Sequence, residues 1–157
     1  MSLTPATVAL DAIGIPYTLH PYAHDPSNHH FGDEAAMSLG IDPLQIFKTL
    51  VVDAGRRQLA VGVVPVAGHL DLKAMAATLG VKKVDLADPT LAARSSGYII
   101  GGISPIGQKT PLPTIIDETA ELFDTIFVSA GHRGLQVSLS PTDLARITSG
   151  RFADISR

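Results

Sequence analysis

Two apolar runs, Phe47 to Val52 and Gln58 to Val64, are separated only by Asp53-Ala54-Gly55-Arg56-Arg57. Such a gap reverses a strand and is far too short for a crossover helix, so the spacing predicts an antiparallel hairpin. A hairpin in mid-chain rules out a strictly alternating βαβ order. Around it the helix signals are local. Thr4-Pro5 reads as an N-cap followed by proline at the first helical position, with Ala6, Ala9, Leu10 and Ile13 at helical spacing and Gly14 as the stop. Asp71 caps a helix carrying Leu72, Met75, Ala76 and Leu79 ahead of Gly80. Asp88-Pro89 starts a short helix, and Ser140-Pro141 caps a last one with Leu144, Ala145 and Ile147. Asn28 to Asp33 reads as a polar loop before a helix ending near Gly40, and Asp42-Pro43 opens a further helical turn. Asp117-Glu118 and Glu121 look like a solvated helix start.

The remaining extended segments are Tyr17 to Tyr22, where Pro21 argues for an edge, Tyr98-Ile99-Ile100, Thr114 to Asp117, Thr125 to Ser129 and Leu135 to Leu139. Strands outnumber helical connections, so the expectation is one α+β domain over residues 1–157, a mixed, curved or barrel-like sheet flanked by helices.

Composition narrows the function classes. A chain of 157 residues, 45% hydrophobic and 17% charged, buries a sizeable core and excludes disorder. Its lack of cysteine excludes disulfides, thiolate metal sites and a protein-borne thiol nucleophile. Apolar runs such as Gly62 to Gly68 fall well short of the ~20 residues of a membrane span. Asp11 within the first helix, with no Lys or Arg ahead of it, argues against a signal peptide, so a cytoplasmic location is expected. A formal net charge of −3 does not suit a protein that grips duplex DNA, though a few clustered cations could still hold a nucleic-acid end.

No conventional catalytic motif survives inspection. Gly102 to Thr110 nearly spells a phosphate-binding loop, but Gln108 intrudes before Lys109 and Pro105 removes a backbone donor. His24, His29 and His30 crowd one loop without zinc-ligand spacing, and no Gly-x-Ser-x-Gly elbow exists. Two features remain. Lys48 stands at the start of an apolar strand, where it either snorkels from an edge or points into a pocket. Gly101-Gly102, close behind Tyr98, is either a tight turn or a corner that brings backbone N–H groups close to a ligand.

The blocks Phe31-Gly32-Asp33-Glu34, Phe47-Lys48-Thr49-Leu50, Val64 to Lys73, Ala87-Asp88-Pro89, Arg94 to Tyr98, Gly101 to Lys109, Leu112 to Asp117, Val128 to Gly131, Arg133-Gly134-Leu135 and Phe152 to Ile155 resemble, in order and over essentially the whole chain, the bacterial YbaK/EbsC proteins. That family comprises free-standing relatives of the editing domain of prolyl-tRNA synthetase. The resemblance implies a deacylase that removes a wrong amino acid from tRNA, best known for Cys-tRNA(Pro), without metal or cofactor. It places the essential lysine on Lys48 and the glycine of a Gly-x-x-x-Pro loop on Gly101, so that Gly101 and Gly102 would offer backbone donors to the ester carbonyl. It assigns Tyr22, Thr49, Tyr98, Ser129 and Gln136 to substrate binding, Gln136 standing where an acidic residue is frequent.

The implied partners are the 3′ end of a mischarged aminoacyl-tRNA and prolyl-tRNA synthetase, with no DNA and no membrane, and a monomer or weak dimer is expected. Lys82, Lys83, Arg94, Lys109 and Arg133 are candidate contacts to RNA. Three readings compete: a deacylase for Ala or Ser, a tRNA- or synthetase-binding module without turnover, and a metal-dependent hydrolase built on the histidine loop.

Overall fold

The computed structural model describes residues 3–157. The predicted hairpin forms from β2 (Phe47–Asp53) and β3 (Leu59–Pro65), in register from Phe47 opposite Pro65 to Asp53 opposite Leu59. It is the centre of a five-stranded sheet ordered β4-β2-β3-β5-β8, with β4 at Asp85–Leu86, β5 at Thr114–Asp117 and β8 at Arg151–Ala153. β5 runs parallel to both neighbours, which makes the sheet mixed. A second sheet, β1-β7-β6, joins Thr18–Pro21, Leu135–Leu139 and Ile126–His132. A parallel bridge between Ile46 and Phe127 ties the sheets together, but they do not close into a barrel.

The helices follow their local signals. α1 (Pro5–Ala12) is capped by Thr4, α3 (Leu72–Leu79) by Asp71, α4 (Pro89–Ser96) by Asp88 and α5 (Pro141–Thr148) by Ser140, each side chain accepting a first-turn N–H. β3 has no polar side chain and is buried on both faces, and its alternation feeds two cores. Val61 and Val63 join Ile126, Val128, Val137, Leu10 and Leu144 between the sheets. Ala60 and Val64 pack with Ile115, Met75 and Ile155 on the opposite face.

Four expectations are corrected. α2 spans Phe31–Leu39, so the loop ends at His30 rather than Asp33; His30 makes no side-chain cap bond, so no capping residue marks the helix start. Asp42-Pro43 opens a single turn, closed by the Gln45 N–H on the Asp42 carbonyl at 2.8 Å, and no helix follows. Tyr98-Ile99-Ile100 is not a strand: Tyr98 is buried, Ile99 and Ile100 are exposed, and the Gly102 N–H closes a turn on the Ile99 carbonyl at 3.0 Å. Asp117 is fully buried rather than solvated, because its carboxylate accepts the Ile155 and Ser156 N–H groups, each at 3.0 Å, and so anchors the chain after β8. Glu118–Leu122 then forms a 3₁₀ helix. β4 and β8, of two and three residues, are too short for any periodicity to announce.

Candidate active site

β2 is an inner strand, so Lys48 is not at the rim of the sheet. Its start is held against β6 by the Ile46–Phe127 bridge, and β4 pairs only with Val52 and Asp53. Between those two attachments the flank of β2 is uncovered. There the sheets part around a cavity of about 400 Å³, within the usual range for small-ligand sites. Phe47, Lys48, Thr49, Leu50 and Val51 form one wall, and Ser129 and Gln136, directly paired across β6 and β7, contribute to another. α2 supplies Phe31, Gly32 and the exposed Asp33, and the connection between α4 and β5 supplies Ile100, Gly101 and Ile103.

Lys48 and Gly101 therefore face one space. Lys48 is half-buried and has no ion-pair partner among the described residues. Burial pushes its pKa below the ordinary lysine value, and the negative charge of Asp33 opposes that shift. Gly101 has φ +87°, and a Cβ there would lie 2.8 Å from both the Phe31 ring and Arg133 Nε, so conformation and space each demand glycine. The Gly101 N–H has no acceptor among the described residues. Two buried side-chain atoms on the cavity wall, Thr49 Oγ1 and Gln136 Oε1, likewise have no hydrogen-bond partner among the described residues. Buried groups are rarely left in this state unless a ligand or water completes them.

Of the residues expected to form the site, Lys48, Thr49, Gly101, Ser129 and Gln136 line this cavity. Tyr22, Tyr98 and Gly102 do not. Tyr22 packs against the Ala35, Ala36, Ile46 and Phe127 cluster, its hydroxyl beside the Gln136 side chain; burial raises the Tyr22 pKa, and its contacts with Gly134 and Gln136 lower it. Tyr98 points into the core and donates to the Ile106 carbonyl at 2.6 Å, and burial pushes its hydroxyl up to about 12. Gly102 is corrected in role as well: its N–H is consumed by the Ile99 turn, and its carbonyl accepts from Ser129 Oγ at 3.1 Å. The backbone donor available at the corner is that of Gly101.

The histidine loop is held differently. His24 Nδ1 lies 2.6 Å from Glu34 Oε1, and the Asp25 N–H donates to the same carboxylate at 2.8 Å. These two contacts, that of His24 the larger, hold the Glu34 carboxyl below its ordinary pKa. No group of three or more His, Asp or Glu side chains among the described residues is placed to hold a metal ion. Phe31, Asp33 and Ile103 are wall residues that reasoning by motif missed. The acidic pair Asp33-Glu34 in the first turn of α2 was the available signal, since acidic residues favour helix N-termini.

The model of the aminoacyl-tRNA editing domain matches residues 27–147, which include the whole cavity wall. The chain belongs to the aminoacyl-tRNA editing domain family. It is 39% identical over 142 residues to EbsC of Enterococcus faecalis, a candidate Cys-tRNA(Pro)/Cys-tRNA(Cys) deacylase by its name, with 90% of this chain and 86% of that protein covered. Among solved structures, a candidate trans-editing enzyme for prolyl-tRNA synthetase superposes with a TM-score of 0.85 at 25% identity, over 99% of each chain. The hypothetical protein APE2540 shares the fold at a TM-score of 0.87 and 23% identity, covering 98% of this chain and 100% of its own. As a member of this editing family the protein is an aminoacyl-tRNA deacylase, acting on the ester of mischarged tRNA. No described helix is long and apolar enough to cross a membrane.

Proposed function

We propose that the protein clears Cys-tRNA(Pro) in trans, with Lys48 and the Gly101 N–H as its catalytic groups. The observation that carries this reading is their convergence on one cavity large enough for an aminoacyl ester. An ester is already activated, so position and charge stabilisation can suffice without a protein nucleophile. The substrate's thiol attacks its own carbonyl carbon, a C–S bond replaces the C–O bond to the ribose, and the thiol proton ends on the departing ribose oxygen. The products are a thiolactone and tRNA with a free terminal hydroxyl, and water then opens the thiolactone to cysteine. A thiol with pKa ~8.5 is partly ionised near neutral pH, whereas a serine hydroxyl is not and alanine has no nucleophile. Reactivity thus separates substrates that pocket size distinguishes by only about 1–3 kcal/mol per methylene.

In this reading the Lys48 ammonium stabilises the negative charge that develops on the carbonyl and leaving oxygens. The Gly101 N–H donates to the carbonyl oxygen. Thr49, Ser129 and Gln136 orient the aminoacyl group, Thr49 and Gln136 through their unpaired oxygens, and the Tyr22 hydroxyl holds the Gln136 side chain. The whole chain acts as one editing domain, as a monomer or weak dimer in the cytoplasm. Prolyl-tRNA synthetase supplies the tRNA selection that a chain of net charge −3 lacks.

The deciding experiment offers Cys-, Ala- and Ser-charged tRNA(Pro) to the purified protein and to Lys48→Ala. Wild type releases Cys fastest, and K48A loses about 10²-fold or more of that rate, the scale of an oxyanion-stabilising group. Unchanged turnover by folded K48A would remove the lysine from the mechanism. Equal release of Ala would remove the thiol.

A further inference from the structure

Arg133 does not line the cavity, but it is held against two residues that do, Phe31 and Ile100. It lies just beyond the bulge at which β6 turns into β7. Its Nε donates to the Ile100 carbonyl at 2.9 Å, and its guanidinium carbon sits 4.7 Å from the centroid of the Phe31 ring. One bond and one stacked face fix the plane. No carboxylate pairs with it among the described residues, where the ion pairs are His24–Glu34 and Lys83–Asp85, and its remaining N–H donors have no acceptor there. Exposed His29 meets the same Phe31 ring edge-on at 6.1 Å, and exposed His30 lines the adjoining cavity wall. An oriented, unpaired guanidinium on an aromatic ring, directly beside the Gly101 corner, is complementary to a flat π-system attached to an anion.

We propose that the Phe31–Arg133 stack is the seat of the terminal nucleobase of the RNA. The base lies on the stack beside the guanidinium, and the free guanidinium N–H groups face the sugar–phosphate. This rests on the deacylase reading for placing the aminoacyl group in the cavity: with the ester carbonyl at Gly101, the attached nucleoside leaves the cavity on the side where Gly101 touches Phe31 and Arg133. Stacking of this kind recognises a base as such and suits a single-stranded end.

The test uses the full chain and two measurements. In the first, adenosine 5′-monophosphate and ribose 5-phosphate are titrated into protein labelled at aromatic and guanidinium positions. The nucleotide should shift the Phe31 ring and Arg133 side-chain resonances and ribose 5-phosphate should shift them far less; equal shifts, or none at Phe31, would overturn the seat. In the second, cleavage of the cysteinyl ester of adenosine is compared with that of cysteine ethyl ester by wild type, Phe31→Leu and Arg133→Met. Wild type should prefer the nucleoside ester by roughly 5- to 100-fold in kcat/KM, the scale of one stacked base, and both variants should lose most of that preference. If both esters fall together in the variants, Phe31 and Arg133 merely hold the Gly101 loop and the proposal fails. If neither ester nor any aminoacyl-tRNA is cleaved, the deacylase reading falls and the nucleotide titration alone decides the seat.

Discussion

The connection between α4 and β5 contains two glycine-bearing stretches of opposite duty. Residues 98–103 contain Gly101-Gly102 and leave Ile99, Ile100 and the Gly101 N–H uncovered beside the cavity. Residues 104–110 contain Pro105 and Gly107 and turn inward: Ser104 and Ile106 are fully buried, and Gln108 Nε2 donates to the Ser104 carbonyl at 3.0 Å. At Gly107, φ +70°, a Cβ would lie 2.5 Å from the Pro5 carbonyl oxygen at the start of α1. Both glycines permit a close approach. One approach is open to a ligand, and the other is already occupied by the protein's own backbone. The near-match to a phosphate-binding loop falls mostly in the second stretch, which explains why its glycines cradle nothing.

Gly107→Ala is the harshest way to break this division. The left-handed conformation costs an L-residue about 1–2 kcal/mol and overpacking about 1–3 more, against a helix backbone with little room to retreat. Chemical denaturation should therefore show a loss of about 2–5 kcal/mol, with kcat nearly intact in the protein that remains folded. Gly101→Ala inverts the pattern. Its Cβ meets a ring and a side chain at the surface, which can shift, but the shift carries the N–H away from the carbonyl it serves. A fall of about 10²-fold in kcat/KM is expected, with a smaller change in unfolding free energy than at Gly107. A large stability loss at Gly101 with retained activity would reverse the assignment of the two stretches.

Tyr98→Phe probes the link between them. The hydroxyl reaches from the first stretch to the Ile106 carbonyl in the second, and its removal strands a buried acceptor, so about 1–3 kcal/mol of stability should go. Tyr98 stands outside the cavity, so kcat/KM for Cys-tRNA(Pro) should change less than twofold. A tenfold loss would mean that the two stretches act as one unit.

Much of this was legible because it is written locally. Thr4, Asp71, Asp88 and Ser140 cap helices through their own side chains, and the five-residue turn makes a hairpin whatever surrounds it. What escaped depends on contacts between segments remote in sequence. Whether Lys48 snorkels from an edge or faces a pocket is settled by β4, a strand of two residues that stops short and leaves the flank of β2 open. Gly101 and Gly102 are indistinguishable as letters, yet a turn consumes one N–H and spares the other. Phe31 and Arg133 are remote in sequence and become neighbours only in the fold, where the turn between β6 and β7 meets the start of α2. Asp117, read as solvated because acidic residues flank it, is buried because two backbone N–H groups near the chain's end converge on it.

The mildest perturbation separates the lysine from the glycine corner without touching either. Lys48 is charged below its pKa and neutral above it, and burial has moved that pKa below 10.5 while Asp33 pulls it back up. If the ammonium is the working form, activity must fall on an alkaline limb that begins below the ordinary lysine range. Replacing Asp33 with Asn removes the opposing charge, lowers the pKa further and moves the limb to lower pH. Because Asp33 is exposed, the displacement should be small and should shrink further in ~1 M salt, where the Debye length is about 3 Å. The same shift has a stability counterpart of defined sign. Between the lowered folded pKa and the unfolded value the unfolded chain holds the extra proton, so stability rises with pH across that window, and D33N extends the window downward. A rate profile measured with Cys-tRNA(Pro) against pH, whose limb stays put in D33N at low salt, would show that Asp33 does not tune the lysine. The Gly101 N–H does not titrate, so D33N with Gly101 intact moves the limb and leaves the plateau rate nearly unchanged.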